Sequence, residues 1–459
     1  MIRRCCTRCR SSQVARRRRR RTDMPAVSFV ADDLTGAADV LAQAHRYDLE
    51  AVLVVGGGDN PLPTDADVVG IAGPARSLGG EAFDELVRSQ LAQIARTCAQ
   101  VLLYKVCSTF DSLPTLGSIG RGIELLREQF AGLGPVAVAP AQPQFGRYTA
   151  FSNHFGVFAG QVHRLDRHPV MSRHPSTPMH EADLRQVLSE QFTDRQVPAA
   201  VHLPAYADGS FTERWAACQA ESVPAFVVDA VTDDHLDEVA RALRGAGQTS
   251  APHPSVVVGS GGIMAALART ATGREARRPG RQHASGPVLV VSASASSTTA
   301  AQIGDAVTHG WADVAVPVDL LKSDDPDLAA TLEKHTGAAL SAGRDVVVHT
   351  TRGSEDPRYA AAGPVDPRHV GGLLGTLAGR MAAAGLTRDV AVLGGDTSSH
   401  ALMAMGVREL RVSDQFVTAG PICRTDDRAT VAGCRLLLKG GQVGPPDILR
   451  RFAGQAAHH

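Results

Sequence analysis

"AVSFVADDLTGAADVLAQAHRYD", residues 26 to 48, decides the fold. An apolar run ends in two carboxylates, Thr35 and Gly36 follow, and apolar residues then recur at helical spacing. An unbroken apolar run is the mark of a strand buried on both faces, and a strand feeding a helix is the repeating unit of a parallel sheet. The alternation continues through "EAVLVV", "DVVGIA", "EAFDELVRSQLAQIARTC", "QVLLYKVC", "SIGRGIELLREQFA" and "PVAVAPA". The pattern predicts an α/β protein with parallel sheets covered by helices.

After "SVVVGSGGIMAALARTAT" the rhythm stops at "GREARRPGRQHASGP", a basic stretch punctuated by Gly and Pro. It restarts at "VLVVSAS" and runs through "DVAVPVD", "DVVVHTT", "DVAVLGGD" and "RLLLKGG". Two domains are expected, 25–270 and 287–455, joined by a linker at 271–286. Each should be a mostly parallel sheet flanked by helices, with the active site in the cleft between them. In such sheets ligands sit beyond the carboxyl ends of strands.

A length of 459 residues suits two domains, and 44% hydrophobic with 20% charged residues is an ordinary globular balance. Aromatic residues make up 4%, which argues against a base-stacking platform for nucleic acid. The formal net charge of zero conceals a first segment with ten arginines and no acid before Asp23, so the remainder is acidic by about ten charges. A basic arm, a targeting peptide and a start codon placed upstream of Met24 compete as explanations. The segment has neither an apolar h-region nor an amphipathic pattern, so residues 1–24 are read as non-native or disordered. Cys98, Cys107, Cys218, Cys423 and Cys434 are scattered without zinc spacing, which points to a reducing cytoplasm. No apolar run approaches the ~18 residues needed to span a bilayer. Neither a membrane nor a nucleic acid is an expected partner.

Asp32 and Asp33 stand at a strand's carboxyl end, where they could hold a sugar hydroxyl, bind a metal or act as general base; Asp33 or Thr35 could instead cap the helix. "YKVCSTFDS", residues 104–112, stacks Lys105, Ser108, Thr109 and Asp111 after another apolar run. Lys105 is a point charge suited to carboxylate or phosphate, the hydroxyls are donors, and Asp111 is an acceptor or base; capping is the alternative for Ser108 and Asp111. Cys107 reads as a small buried residue. "PAQPQFGRYTAFSNHFG" and "RLDRHPVMSRHPSTPM" form a cationic, imidazole-rich segment suited to an anionic small substrate, with Arg147 and His154 its best candidates. In the second half, Gly394, Gly395, Asp396 and Thr397 lie where a strand gives way to a helix, a setting that presents N–H groups to phosphate. No P-loop or dinucleotide fingerprint occurs.

"ADDLTGAAD", "KVCSTFDS", "PAQPQFGR", "HPSTPM", "VGSGG", "GGDTSS", "AGPI" and "LLLKGG", in this order, resemble the four-carbon acid sugar kinase family from Ala26 to Phe452. The resemblance implies an N-terminal domain for a sugar acid and a C-terminal domain for ATP with Mg²⁺. "CSTFDS" resembles the branch acting on 3-oxo acids, the 3-oxo-tetronate and 3-oxo-isoapionate kinases. By position it implies Ser294, Gly394, Gly395, Asp396, Thr397 and Gly420 at the nucleotide, with Lys439 and Gly441 beside them. It implies Asp32 or Asp33 as base, Lys105 at the carboxylate or phosphoryl group, and Thr35, Ser108, Thr109, Asp111, Arg147 and His154 around the substrate. Where the family usually carries Gly-Ser, this chain has Ala293-Ser294; a methyl there either tolerates negative φ or pushes the backbone from the nucleotide. The alternatives are a D-threonate or D-erythronate type kinase, or a sugar-acid-binding regulator without chemistry. A homodimer is left open.

Overall fold

The computed structural model describes residues 25–57, 62–174, 176–246, 253–280, 282–417, 420–427, 429 and 431–456. The readings made for residues 1–24 lie outside them. The opening strand is β1 (Val27–Ala31), buried at every position. It alternates between two cores: Val27, Phe29 and Ala31 face one and Val30 the other. Helix α1 (Leu34–Arg46) follows at once because Asp33, in extended conformation at φ −148°, accepts from the Gly36 amide. Its Leu34, Ala37, Ala38, Val40, Leu41 and Ala44 are all fully buried. A helix apolar on so many sides must be enclosed, and α1 packs on both halves of the molecule.

The first half contributes β2 (Ala51–Val55), β3 (Val68–Ala72), β4 (Val101–Lys105) and β5 (Val136–Ala139) to the main sheet. A separate antiparallel sheet of β6 (Arg147–Ala150), β7 (Asn153–Phe158) and β8 (Gln161–Arg164) follows. The main sheet then resumes with β9 (Ala199–Val201), β10 (Ala225–Val228) and β11 (Ser255–Gly259). The second half adds β12 (Val288–Ser292), β13 (Ala312–Ala315), β14 (Val346–His349), β15 (Asp389–Leu393), β16 (Glu409–Val417), β17 (Gly420–Thr425) and β18 (Arg435–Lys439).

The strand order is β13-β14-β12-β15-β18-β17-β16-β2-β3-β1-β4-β11-β5-β10-β9. Parallel pairing holds on both sides, and β16 and β17 run antiparallel to their neighbours. The two expected sheets are thus one: β16 pairs with β2, Glu409 opposite Val54 and Arg411 opposite Val52. In each half the chain first builds the sheet one way from its opening strand and then continues on the other side, which places a switch point between β1 and β4 and another between β12 and β15. The stretch read as a free linker is tied down. Arg274 and Arg277 pair with Asp48, Arg274 at 2.5 Å, and Gln282 donates to Asp414 at 2.6 Å.

Candidate active site

Register aligns the carboxyl ends of β3, β1, β4 and β11, with Ala72 and Lys105 opposite Ala31 and Gly259 opposite Lys105. Asp32, Asp33 and Lys105 therefore meet at the first switch point. The group that organises them, absent from the sequence-based candidates, is Arg76, in the short turn after β3. Its Nε and Nη2 donate to the two oxygens of Asp32 at 3.0 and 2.8 Å, and its Nη1 donates to Asp33 at 2.8 Å. The Arg76 amide also donates to the Asp32 carbonyl. All three side chains are buried. Burial pushes Asp32 above the usual carboxylate range against the pull of Arg76.

Asp33 carries more than a cap. One oxygen accepts from the Gly36 amide at 2.6 Å, and the other from Thr35 Oγ1 at 2.7 Å as well as from Arg76. Each of the four oxygens of the pair accepts at least one hydrogen bond from the protein. Lys105 is 2% exposed; its Nζ donates to the Val106 carbonyl at 2.8 Å and passes over the start of α1. A Cβ at Gly36 would lie 2.9 Å from that nitrogen, so only glycine admits this approach.

The loop after β4 turns through Phe110, a buried non-glycine residue at φ +58°. It carries Ser108, Thr109 and the 7%-exposed Asp111, whose Oδ1 is buried without a hydrogen-bond partner among the described residues. Thr109 Oγ1 lies 3.0 Å from the Cys107 sulfur. Burial first, then Asp111, pushes the Cys107 thiol up to about 12. The small sheet braces this loop. His154 Nε2 donates to the Ser108 carbonyl at 2.8 Å and its Nδ1 accepts from Thr149 at 2.9 Å. Burial pushes this imidazole down to about 4. With both nitrogens hydrogen-bonded within the protein, His154 shapes the loop. Arg147 Nη1 donates to the carbonyls of Phe145, Gly146 and Val157, and its charge is felt at His154.

At the second switch point Ser292 lies opposite Leu393, and Leu393 opposite Lys439. Gly394 follows at φ +136°, its amide donating to the Lys439 carbonyl at 3.2 Å. A Cβ there would lie 3.1 Å from Thr397 Oγ1 and 3.8 Å from the Ser294 amide. Gly395 then starts the helix Asp396–Ala404 without a side-chain cap. The Asp396 side chain lies outside the described residues. Gly441 faces Ser294 Oγ across the turn, and its carbonyl accepts from Thr299 at 2.8 Å. Lys439 is fully buried against Thr299 and the Gly440 carbonyl, and burial pushes its pKa down to about 7. Ala293 is not among the residues of positive φ, so its methyl is tolerated. Gly420 opens β17, where a Cβ would meet Val417, Leu437 and the Leu438 carbonyl.

The two switch points touch. The Leu34 amide, at the start of α1, donates to Ser399 Oγ in the first turn of the helix Asp396–Ala404 at 3.2 Å. One half of this site is built of paired charges and the other of glycine turns and hydroxyls around a helix start, an arrangement fit to hold a small polar anion against phosphate.

Comparison with known proteins gives the same partition. A model described as a sugar-binding N-terminal domain matches residues 27–267, and one described as a nucleotide-binding C-terminal domain matches residues 289–449. A 3-oxo-isoapionate kinase of Paraburkholderia graminis is 34% identical, the match covering 91% of this chain and 92% of that protein. A 3-oxo-tetronate kinase of Cupriavidus necator is 30% identical over 95% and 98%, and a D-threonate kinase of Bordetella bronchiseptica 29% over 94% and 97%. A solved Salmonella typhimurium LT2 structure shares the fold at TM-score 0.74 and 22% identity, covering 93% of this chain and 98% of its own.

Proposed function

The chain belongs to the family that joins a sugar-binding N-terminal domain to a nucleotide-binding C-terminal domain, and on that premise we propose that it is an ATP-dependent kinase of a small 3-oxo sugar acid. The terminal hydroxyl of an acid of the 3-oxo-isoapionate or 3-oxo-tetronate kind would be the acceptor. The hydrogen bond from Leu34 to Ser399 carries this reading, because it holds the start of the phosphate-type helix against the charged switch point. Phosphoryl transfer asks the protein mainly to position two substrates and stabilise charge, and that juxtaposition does both.

The proposed division is 25–270 for the acid, 271–286 for the connection and 287–455 for the nucleotide. Lys105 supplies positive charge to the acid's carboxylate or to the moving phosphoryl group. Thr35, Ser108 and Thr109 orient oxo and hydroxyl groups, and Arg147 strengthens the positive potential. Gly394, Gly395, Thr397 and Ser294 offer backbone N–H groups and hydroxyls to the phosphates, in a turn that a side chain at Gly394 would fill. Among the described residues no group of three or more His, Cys, Asp or Glu is placed to hold a metal ion. Mg²⁺ is proposed to accompany the nucleotide and to supply positive charge to its phosphates.

No described helix is long and apolar enough to cross a membrane. The five described cysteines are free, which supports the proposed cytoplasmic setting. ADP release measured against a panel of 3-oxo and 2-hydroxy sugar acids tests the function. Turnover with a 3-oxo acid is expected; preference for D-threonate or D-erythronate would move the substrate, and binding without ADP release would replace the kinase with a regulator.

A further inference from the structure

Building on the kinase reading above, we infer that Arg76 holds Asp32 and Asp33 as a paired frame, and that Asp111 takes the proton from the acceptor hydroxyl. A general base must take up a proton without discharging a partner it holds in place. Asp32 meets Arg76 with both oxygens, and Asp33 accepts from Arg76, Thr35 and the Gly36 amide. Protonating either would neutralise a carboxylate paired with a buried guanidinium, which is costly.

Asp111 has the opposite surroundings. It is buried, yet its Oδ1 has no partner among the described residues. Buried polar atoms are rarely left unsatisfied without a functional reason. The loop holds it there at some expense: Phe110 sits at φ +58°, fixed by its amide on the Cys107 carbonyl and by Ser112 on its own carbonyl. Left-handed backbone at a bulky residue persists where the surroundings over-determine it, commonly at functional sites. His154 pins the same loop from β7 through the Ser108 carbonyl.

In the step this assigns, the hydroxyl oxygen attacks the γ-phosphorus of the nucleoside triphosphate while its proton passes to Asp111 Oδ1. The bond between the γ-phosphorus and the β–γ bridging oxygen breaks, its electron pair leaves on the nucleoside diphosphate, and Asp111 returns the proton to solvent. The charged and titratable groups facing Asp111 are Cys107 on its own loop, Arg147 from β6 and His154 from β7.

The experiment compares Asp111→Asn with Asp32→Asn in the full chain, using the best acid from the panel. Asp111→Asn should lower kcat about 10²- to 10⁴-fold and leave the KM for ATP within about threefold. Its Tm should hold or rise, since an unpaired buried charge is removed. Asp32→Asn should lose Tm and keep more of its kcat than Asp111→Asn. Near-normal kcat for Asp111→Asn overturns the assignment. So does a fall in its Tm of more than about 5 °C, or a larger loss of kcat in Asp32→Asn than in Asp111→Asn with Tm intact. A wild-type enzyme inert toward every acid overturns the kinase reading itself, and the base with it.

Discussion

The two switch points occupy equivalent places in the two halves of one sheet, yet they are built from different materials. Beyond β1 and β4 the chain places four buried charges, Asp32, Asp33, Arg76 and Lys105, each held at a fixed geometry. Beyond β12 and β15 it places Ser292, Ser294, Gly394 and Thr397 around an uncapped helix start. Charged side chains with fixed directions can distinguish one small acid from another. Backbone N–H groups at a helix start grip any phosphate, whatever it is attached to. Under the proposed function, the difference would give selectivity to the first half and the common donor to the second.

Removing the cation at the centre of the first switch point should have the largest effect. Arg76→Met leaves two buried carboxylates without their partner, an expected loss of about 3–5 kcal/mol in a urea-unfolding titration. Unchanged stability would show that the frame is not held by charge. Lys105→Met is expected to reduce kcat/KM about ten- to hundredfold with the fold intact, the value of one charge-assisted contact of about 1.5–3 kcal/mol. A loss confined to the KM for ATP would reverse the roles of the two halves. Gly394→Ala sharpens the contrast from the other side. A Cβ at φ +136° is strained by about 1–3 kcal/mol, so the KM for ATP should rise about tenfold while that for the acid stays put.

The smallest effect concerns Lys439, whose folded pKa of about 7 lies below its ordinary 10.5. Between those values the unfolded chain binds the proton and the folded chain does not, so stability from this group rises as pH is raised from about 7 toward 10.5. Lys439→Met should flatten that slope in thermal melts recorded across the window. A slope equal to wild type would show that the lysine keeps its proton in the fold.

Much of this was legible in the residues. Strand β1, the Asp33 cap, the doubled α/β rhythm and the glycine turn at 394–395 are local patterns, written within a few positions of where they act. Arg76 was not legible, because "PARSLG" has no periodicity to single it out and its partners lie over forty positions earlier in the chain. The small sheet of β6 to β8 was read as a cationic, imidazole-rich segment; its strands are short, and β8, Gln161-Val162-His163-Arg164, has no alternation long enough to announce a strand. The cleft expected between two separate sheets missed their fusion, since the pairing of β16 with β2 depends on no motif in either strand. The hydrogen bonds of His154 to Thr149 and the Ser108 carbonyl were not legible, because the sequence does not say which partners its two nitrogens meet.

That fusion has a consequence in time. Strand β2 leaves one edge unpaired until Glu409 to Arg411 arrive, about 350 residues later. At ~5–20 residues per second of synthesis, the open edge persists for roughly 20–70 seconds on the ribosome. Such an edge invites pairing with any other extended chain. A nascent chain halted before residue 409 should show unprotected β2 amides in hydrogen exchange, and a chain released after 440 should show them closed. The first half is thus obliged to wait for the last strands of the second before its own sheet is safe, and the cell must shelter it meanwhile.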